Sequence, residues 1–181
     1  MKKQELRLSG SGGQGLILAG IILAAAAAKE GKNVVQTQSY GPEARGGASK
    51  SEVVISDERI DYPKVTRPDF LLALTEEALF KYIEDIKEDG IVLADSSVEP
   101  GEAGDKVKSF YSLPVLKTAR EELKPIVANM VALGAIVASS EVTGPEATRE
   151  AIKENVPPGT EDLNIKAFEK GYELGKQQVK S

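Results

Sequence analysis

A three-layer α/β/α sandwich with a mostly parallel, mixed sheet of about six strands follows from three features of the sequence. Short β-rich runs alternate with apolar-periodic helical runs along the whole chain; a glycine turn joins the first strand to the first helix; and one strand-to-strand link is too short to hold a crossover helix. With 181 residues, 41% of them hydrophobic, the chain is long enough for one well-buried core, so a single domain over residues 1–181 is expected. No window is biased enough to read as a linker, a low-complexity tail or a repeat.

The elements can be justified in order. The run ELRLS (5–9) alternates as a short strand, and the stretch Gln14 to Glu30, dominated by Leu, Ile and Ala and stopped by EGK, reads as a largely buried helix. NVVQTQ (33–38) is the second strand and SKSEVVIS (49–56) the third, with only SYGPEARGGA between them; this pair is therefore antiparallel. DFLLAL (69–74) and GIVLAD (90–95) are the fourth and fifth strands, and KVKSFY (106–111) a sixth. Helical patterns fill the spaces: TEEALFKYIEDIK (75–87), PVLKTAREEL (114–123), PIVANMVALGAIVASSE (125–141), GPEATREAIKENV (144–156) and a charged helix from about Asp162 to Gln178.

Composition narrows the chemistry. There is no cysteine and no histidine, which removes thiolate nucleophiles, disulfides, iron–sulfur ligation and the commonest general base. The net charge of −5, with basic residues scattered singly, argues against a nucleic-acid backbone binder. No EF-hand pattern or dense acidic cluster suggests a metal site. The apolar run Leu16 to Ala28 lies too far from the basic start for a signal peptide and is shorter than the ~20 residues a bilayer needs, so a cytoplasmic protein is the default.

Two motifs carry the functional reading. GSGGQG, with Gly10, Gly12, Gly13, Gln14 and Gly15, satisfies G-x-G-x-x-G between a strand and a helix, where backbone amides and the positive helix end can face an anion. The dinucleotide version of this motif needs an acid at the end of the second strand, and VVQTQSY has none; no Lys-Ser/Thr pair follows the last glycine for a P-loop. Glycines required only for tight helix-on-strand packing are the plain alternative. The second motif, QSYGPEARGGASKSEVVIS, places Tyr40, Arg45, Gly46 and Gly47 at the end of the second strand, next to the glycine turn in a sheet of this kind. An arginine there suits a phosphate or carboxylate clamp, though a solvated loop arginine gives the same pattern. Elsewhere Asp95 in ADSSVEP reads as a cap or turn, the run Ala24 to Ala28 as close helix packing, and Lys124-Pro125 as a helix boundary.

Together, GSGGQG and SYGPEARGGASKSEVVIS resemble the gamma subunit, or gamma-type domain, of the 2-oxoacid:ferredoxin oxidoreductases, which act on pyruvate, 2-oxoglutarate or branched-chain and aryl 2-oxoacids. Weaker similarity continues through RPDFLLAL, IVLAD, ANMVALGAIV with Asn129 and Gly134, and NIKAFEKGYELG. The resemblance implies a component of a complex that decarboxylates a 2-oxoacid on thiamine diphosphate, sends electrons through iron–sulfur clusters to ferredoxin and delivers the acyl group to coenzyme A. It places thiamine diphosphate and the clusters on partner subunits, a thiamine-diphosphate-binding chain and a ferredoxin-like chain, and leaves the isolated chain inactive. It also implies that Gly10 to Gly15 and Tyr40 to Gly47 line the approach of coenzyme A or a subunit interface. The competing readings are a stand-alone nucleotide or acyl-coenzyme A binding protein and a purely structural subunit.

Overall fold

Strand β1 (Gln4–Ser11) alternates residues that are buried on both faces of the sheet, Leu6 and Leu8 toward one side and Glu5, Arg7 and Ser9 toward the other. It is the centre of the fold in a computed structural model that describes residues 2–39 and 48–180. After it come α1 (Leu16–Lys29), β2 (Asn33–Gln38), β3 (Ala48–Ser56), β4 (Phe70–Ala73), α2 (Glu76–Tyr82), β5 (Ile91–Asp95) and β6 (Ser109–Leu113). Four further helices follow: α3 (Val115–Glu122), α4 (Ala128–Ser140), α5 (Pro145–Asn155) and α6 (Glu161–Val179).

The six strands form one mixed sheet in the order β2-β3-β1-β4-β5-β6. As the short link required, β2 and β3 are antiparallel, with Val35 opposite Val54; β3 is also antiparallel to β1, and β1, β4, β5 and β6 run parallel. One face packs Leu6, Leu8, Val53, Ile55, Phe70, Leu72 and Leu93 against α1, α3 and α4, with residues of α5 and α6 completing the same core. The other face carries Leu71, Ala73, Val92 and Ala94 under α2 and the 3₁₀ turns that follow it. Helices therefore cover both sides, as the alternation predicted.

The smaller face is not wholly apolar. Arg7 Nε donates to Glu52 Oε2 at 2.9 Å, its cross-strand partner, while Nη1 donates to Asp85 at 2.5 Å and the guanidinium lies 5.0 Å from the Tyr82 ring centre. A buried cation is tolerated here because it is paired and stacked. Removing both carboxylates would leave its charge uncompensated.

Several boundaries differ from the sequence reading. Strand β1 runs on to Ser11, so Gly10 lies in a strand opposite Ser49 rather than in the turn. The helix after it starts at Leu16, because Gly15 takes a left-handed φ of 73° that ends any helical continuation backward to Gln14. The 75–87 helix stops at Tyr82 and tightens into a 3₁₀ turn, and the 125–141 helix begins with a 3₁₀ turn at Pro125 before α4 proper. Asp95 does act as a cap: it is buried, its Oδ1 accepts from the Leu116 amide at the start of α3, and its Oδ2 accepts from Ser97. No helix among the described residues is long and apolar enough to cross a membrane.

Candidate functional site

The glycine turn sits where β1 leaves the sheet and α1 enters its own layer, at the carboxyl end of the parallel strands, the usual place for a site in an open α/β sheet. Gln14 closes it: its Oε1 accepts from the Ser11 amide at 2.8 Å, and its own amide donates to the Ser11 carbonyl at 3.4 Å. Gly10 is small for a local reason, since a Cβ there would overlap that Gln14 Oε1. Gly13 and Gly15 both have left-handed backbones, φ 84° and 73°. L-residues pay about 1–2 kcal/mol for that conformation.

At Gly15 the helix begins with no side-chain cap and no acidic residue in its first turn. Such a start leaves amide hydrogens facing outward with partial positive charge. Gly15 is braced from behind: Asn129, on α4, donates from Nδ2 to the Gly15 carbonyl at 3.1 Å, while its Oδ1 accepts from the Met130 amide at 2.9 Å. The carboxamide is buried and has both ends occupied, which fixes the height of the turn above the α4 layer. Asn129 is visible in the sequence only through the family resemblance; no local pattern marks it.

Two cavities meet at the turn. One, of about 310 Å³, is lined by Ser11, Gly12, Gly13, Gln14, Gly15 and Ile17 together with Ser39, Ser49 and Lys50. The other, of about 250 Å³, is mostly apolar and lies between Gly13, Gly15, Leu18, Ile126 and Leu163, with Asn129, Asn164 and Thr160 at its edge. Gly12, Gly13, Gln14 and Gly15 thus line the first cavity together, while Gly10 stands in β1 behind the Gln14 side chain. Tyr40, Arg45, Gly46 and Gly47 lie outside the described residues. Of the described residues that flank them, Ser39 lines the first cavity and Ala48 stands opposite Ser11 in the sheet. Motif reading missed Lys50, the basic residue of that cavity, whose ammonium is 3.2 Å from Glu52 and 5.7 Å from the Tyr82 ring centre. It stands in the quoted motif, but strand alternation alone did not tell which cavity it would reach.

A cavity of about 480 Å³ is at the opposite end of the molecule, near Glu30, Lys32, Thr143 and Lys176. There Glu30 Oε1 accepts from the Gly144 amide at 2.6 Å, so the chain's own carboxylate already occupies the start of α5. Burial pushes the Glu30 carboxyl up, but the Gly144 amide, Lys32 and Thr143 outweigh it and hold it below the ordinary range. Size alone does not make this the site.

An iron–sulfur cluster needs thiolate ligands, and thiamine diphosphate needs carboxylates to hold its accompanying divalent cation. The chain has no thiolate, and among the described residues no three His, Cys, Asp or Glu side chains converge as metal ligands, whether for a cluster or for the divalent cation that accompanies a diphosphate. Neither group fits here. The class that the fold and the turn define is an α/β sandwich with a glycine turn opening its first helix.

Comparison with known proteins identifies which enzyme family. Residues 5–174 match the pyruvate ferredoxin/flavodoxin oxidoreductase family, and the chain belongs to it. A Methanocaldococcus jannaschii protein named 2-oxoglutarate synthase subunit KorC is 53% identical over 97% of this chain and 95% of its own length. The crystal structure of a keto/oxoacid ferredoxin oxidoreductase gamma subunit from Geobacter sulfurreducens matches 98% of this chain and 99% of that one, with a TM-score of 0.85 at 46% identity. A 2-oxoglutarate:ferredoxin oxidoreductase from Magnetococcus marinus, solved with 2-oxoglutarate, coenzyme A and succinyl-CoA, matches all of this chain at a TM-score of 0.87 and 26% identity, but this fold is only 32% of that longer chain. The chain is thus a gamma-type component of a multi-subunit oxidoreductase.

Proposed function

We propose that this chain is the gamma subunit of a 2-oxoacid:ferredoxin oxidoreductase whose preferred substrate is 2-oxoglutarate, and that its glycine turn receives the phosphate end of coenzyme A. The reaction removes carbon dioxide from the 2-oxoacid, transfers the acyl group to the coenzyme A sulfur and passes two electrons to ferredoxin. The redox and thiamine chemistry would belong to partner subunits: the chain has no cysteine, and among the described residues no group of His, Cys, Asp or Glu side chains could hold a metal ion. The substrate assignment is supported by the end-to-end similarity to a 2-oxoglutarate synthase subunit.

The observation that carries the site is the uncapped start of α1 behind Gly13 and Gly15, open to the 310 Å³ cavity. Backbone amides of the turn would hold an anion without a side chain between, and Arg45 would supply a bidentate second grip. Coenzyme A, when bound, supplies the thiol that accepts the acyl group. The residues of this chain hold and orient it; none of them transfers a proton or an electron in this account.

Co-purification from the native host, followed by dye reduction with 2-oxoglutarate, pyruvate and a branched-chain 2-oxoacid, tests the assignment. Activity is expected only in the complex, greatest with 2-oxoglutarate. Purified single chain that reduced the dye with any 2-oxoacid would refute the division of labour, and a complex preferring pyruvate would refute the substrate. Replacing Arg45 by Lys keeps the charge and loses the fork, so the apparent KM for coenzyme A should rise by at most about 1.5–3 kcal/mol equivalent. Normal assembly with unchanged coenzyme A kinetics would leave Arg45 as a solvated loop residue.

A further inference from the structure

The cavity of about 480 Å³ beside Glu30 falls within the roughly 300–1,000 Å³ typical of small-molecule sites. Its walls come from three helix ends: Val137 and Glu141 where α4 stops, Pro145 where α5 starts, and Tyr172, Lys176 and Lys180 along the last turns of α6. Two features of this wall are not explained by contacts within the chain. Glu141 is the one non-glycine residue among those described with a left-handed backbone, φ 53°, where glycine would sit without steric cost. Thr143 is 4% exposed and close enough to Glu30 to help lower that carboxyl, yet its hydroxyl completes no hydrogen bond among the described residues. The charges sort into used and unused. The Lys32 ammonium is 3.0 Å from Glu30 and donates to the Val142 carbonyl at 2.6 Å, so that pair is satisfied. Lys176 and Lys180, one turn apart on the same face of α6, make no ion pair among the described residues; the Lys176 ammonium lies 5.6 Å from the Tyr172 ring centre. Glu141 is exposed and likewise has no ion-pair partner there.

We propose that this cavity is a second ligand site, separate from the glycine turn, and that it binds a nucleoside monophosphate. Each part of such a ligand meets a matching group. The two unused lysines hold the phosphate as compact positive charges, and their excess over the single unused carboxylate favours a net anion. Glu141 accepts from the ribose hydroxyls, the part an acidic side chain plays toward a ribose in dinucleotide-binding folds. Val137, Pro145 and the Tyr172 ring give the base an apolar wall. Simpler anions match less well: inorganic phosphate leaves the apolar wall wet, and a small dicarboxylate gives Glu141 nothing to accept from. The site is remote from the glycine turn because α1 and α4 each begin at the turn, at Gly15 and Asn129, and end at this cavity, at Glu30 and Glu141.

The test is calorimetric titration of the full chain with AMP, ribose 5-phosphate, inorganic phosphate and glutarate, repeated on Glu141→Gly, on the double variant Lys176→Gln/Lys180→Gln and on Lys50→Gln at the glycine turn, with the Tm of each. AMP should bind with a Kd of about 1 mM or tighter, and ribose 5-phosphate and inorganic phosphate at least about tenfold more weakly. The double variant should weaken AMP at least about tenfold, because two charge-assisted contacts are lost. Glu141→Gly keeps the test independent of folding: glycine suits the left-handed position, so Tm should hold or rise while AMP weakens and inorganic phosphate does not. Lys50→Gln should leave AMP binding unchanged. No AMP binding up to about 10 mM would overturn the proposal. So would inorganic phosphate or glutarate binding as tightly as AMP, which would reduce the site to a generic anion contact. AMP binding weakened by Lys50→Gln and untouched by Glu141→Gly and the lysine pair would also overturn it, and would put the nucleotide at the glycine turn instead.

Discussion

Two groups of glycines in this molecule do different work. In the seam between α4 and α6, a Cβ on Gly171 would overlap the Val131 carbonyl, one on Gly134 would overlap the Phe168 carbonyl, and one on Gly175 would come within 2.9 Å of the Ala135 carbonyl. These residues are small because another backbone is there. In the turn between β1 and α1, Gly13 has nothing within 4 Å of its Cβ position, and its glycine is required by a left-handed φ instead. Backbone contact in the first group serves packing; at Gly13 the requirement is conformational, and the space beside it is open.

The contrast breaks most easily at Gly171. Since the obstructing atoms are backbone and cannot swing aside, Gly171→Val should cost the isolated chain about 3 kcal/mol or more, seen as a fall of roughly 6–12 °C in Tm. A fall of a degree or two would show that α6 slides freely on α4 and that the seam is not close-packed. Gly15→Ala combines the two kinds of cost: about 1–2 kcal/mol for the left-handed backbone, plus displacement of Asn129, whose Nδ2 would be 2.6 Å from the new Cβ. It should lower both Tm and coenzyme A affinity in the complex. Asn129→Ala sharpens the comparison further, because it removes the brace and leaves the glycines untouched; a loss of about 1 kcal/mol in unfolding free energy is expected, with a raised KM for coenzyme A. An unchanged KM would mean that the height of the turn does not matter to the ligand.

The smallest effect concerns the far end of the molecule. The Glu30 carboxyl is held below its ordinary value of 4.5 in the folded chain, so its contribution is complete above that pH and is lost as pH falls through the lower folded value. Glu30→Gln should cost a few tenths to about 1 kcal/mol at pH 7, limited by solvent screening of a partly exposed group, and the difference from wild type should vanish in acid. Urea titrations at pH 7 and pH 3 check this. A difference that grows in acid would reverse the assignment.

Much of this architecture is legible in the sequence because its signals are local. Alternation in ELRLS, the uncharged run of α1, and a β2–β3 link too short for a helix gave the sheet its strands and its antiparallel pair. The ends of elements were less legible: a single left-handed glycine moved the start of α1 from Gln14 to Leu16, and hydrophobic periodicity does not register φ. The site divides along the same line. Gly10 to Gly15 announce themselves by spacing, whereas Asn129 reaches the turn from α4 and Lys50 lines the adjoining cavity from β3, arrangements that exist only after folding. The seam glycines Gly171 and Gly175 sit in a charged amphipathic helix, where only the neighbouring backbone reveals their purpose.

The central claim, that the turn is kept open for coenzyme A and not for packing, is tested most directly at Gly12, which lines the cavity from an exposed position. The measurement is the coenzyme A dependence of 2-oxoglutarate oxidation by the complex assembled with Gly12→Val chain, alongside the Tm of that chain alone. The account predicts a raised KM for coenzyme A or a lost rate, with a Tm within a few degrees of wild type. Unchanged kinetics, or a loss of activity matched by an equal loss of stability, would contradict it and return the glycine turn to a packing role.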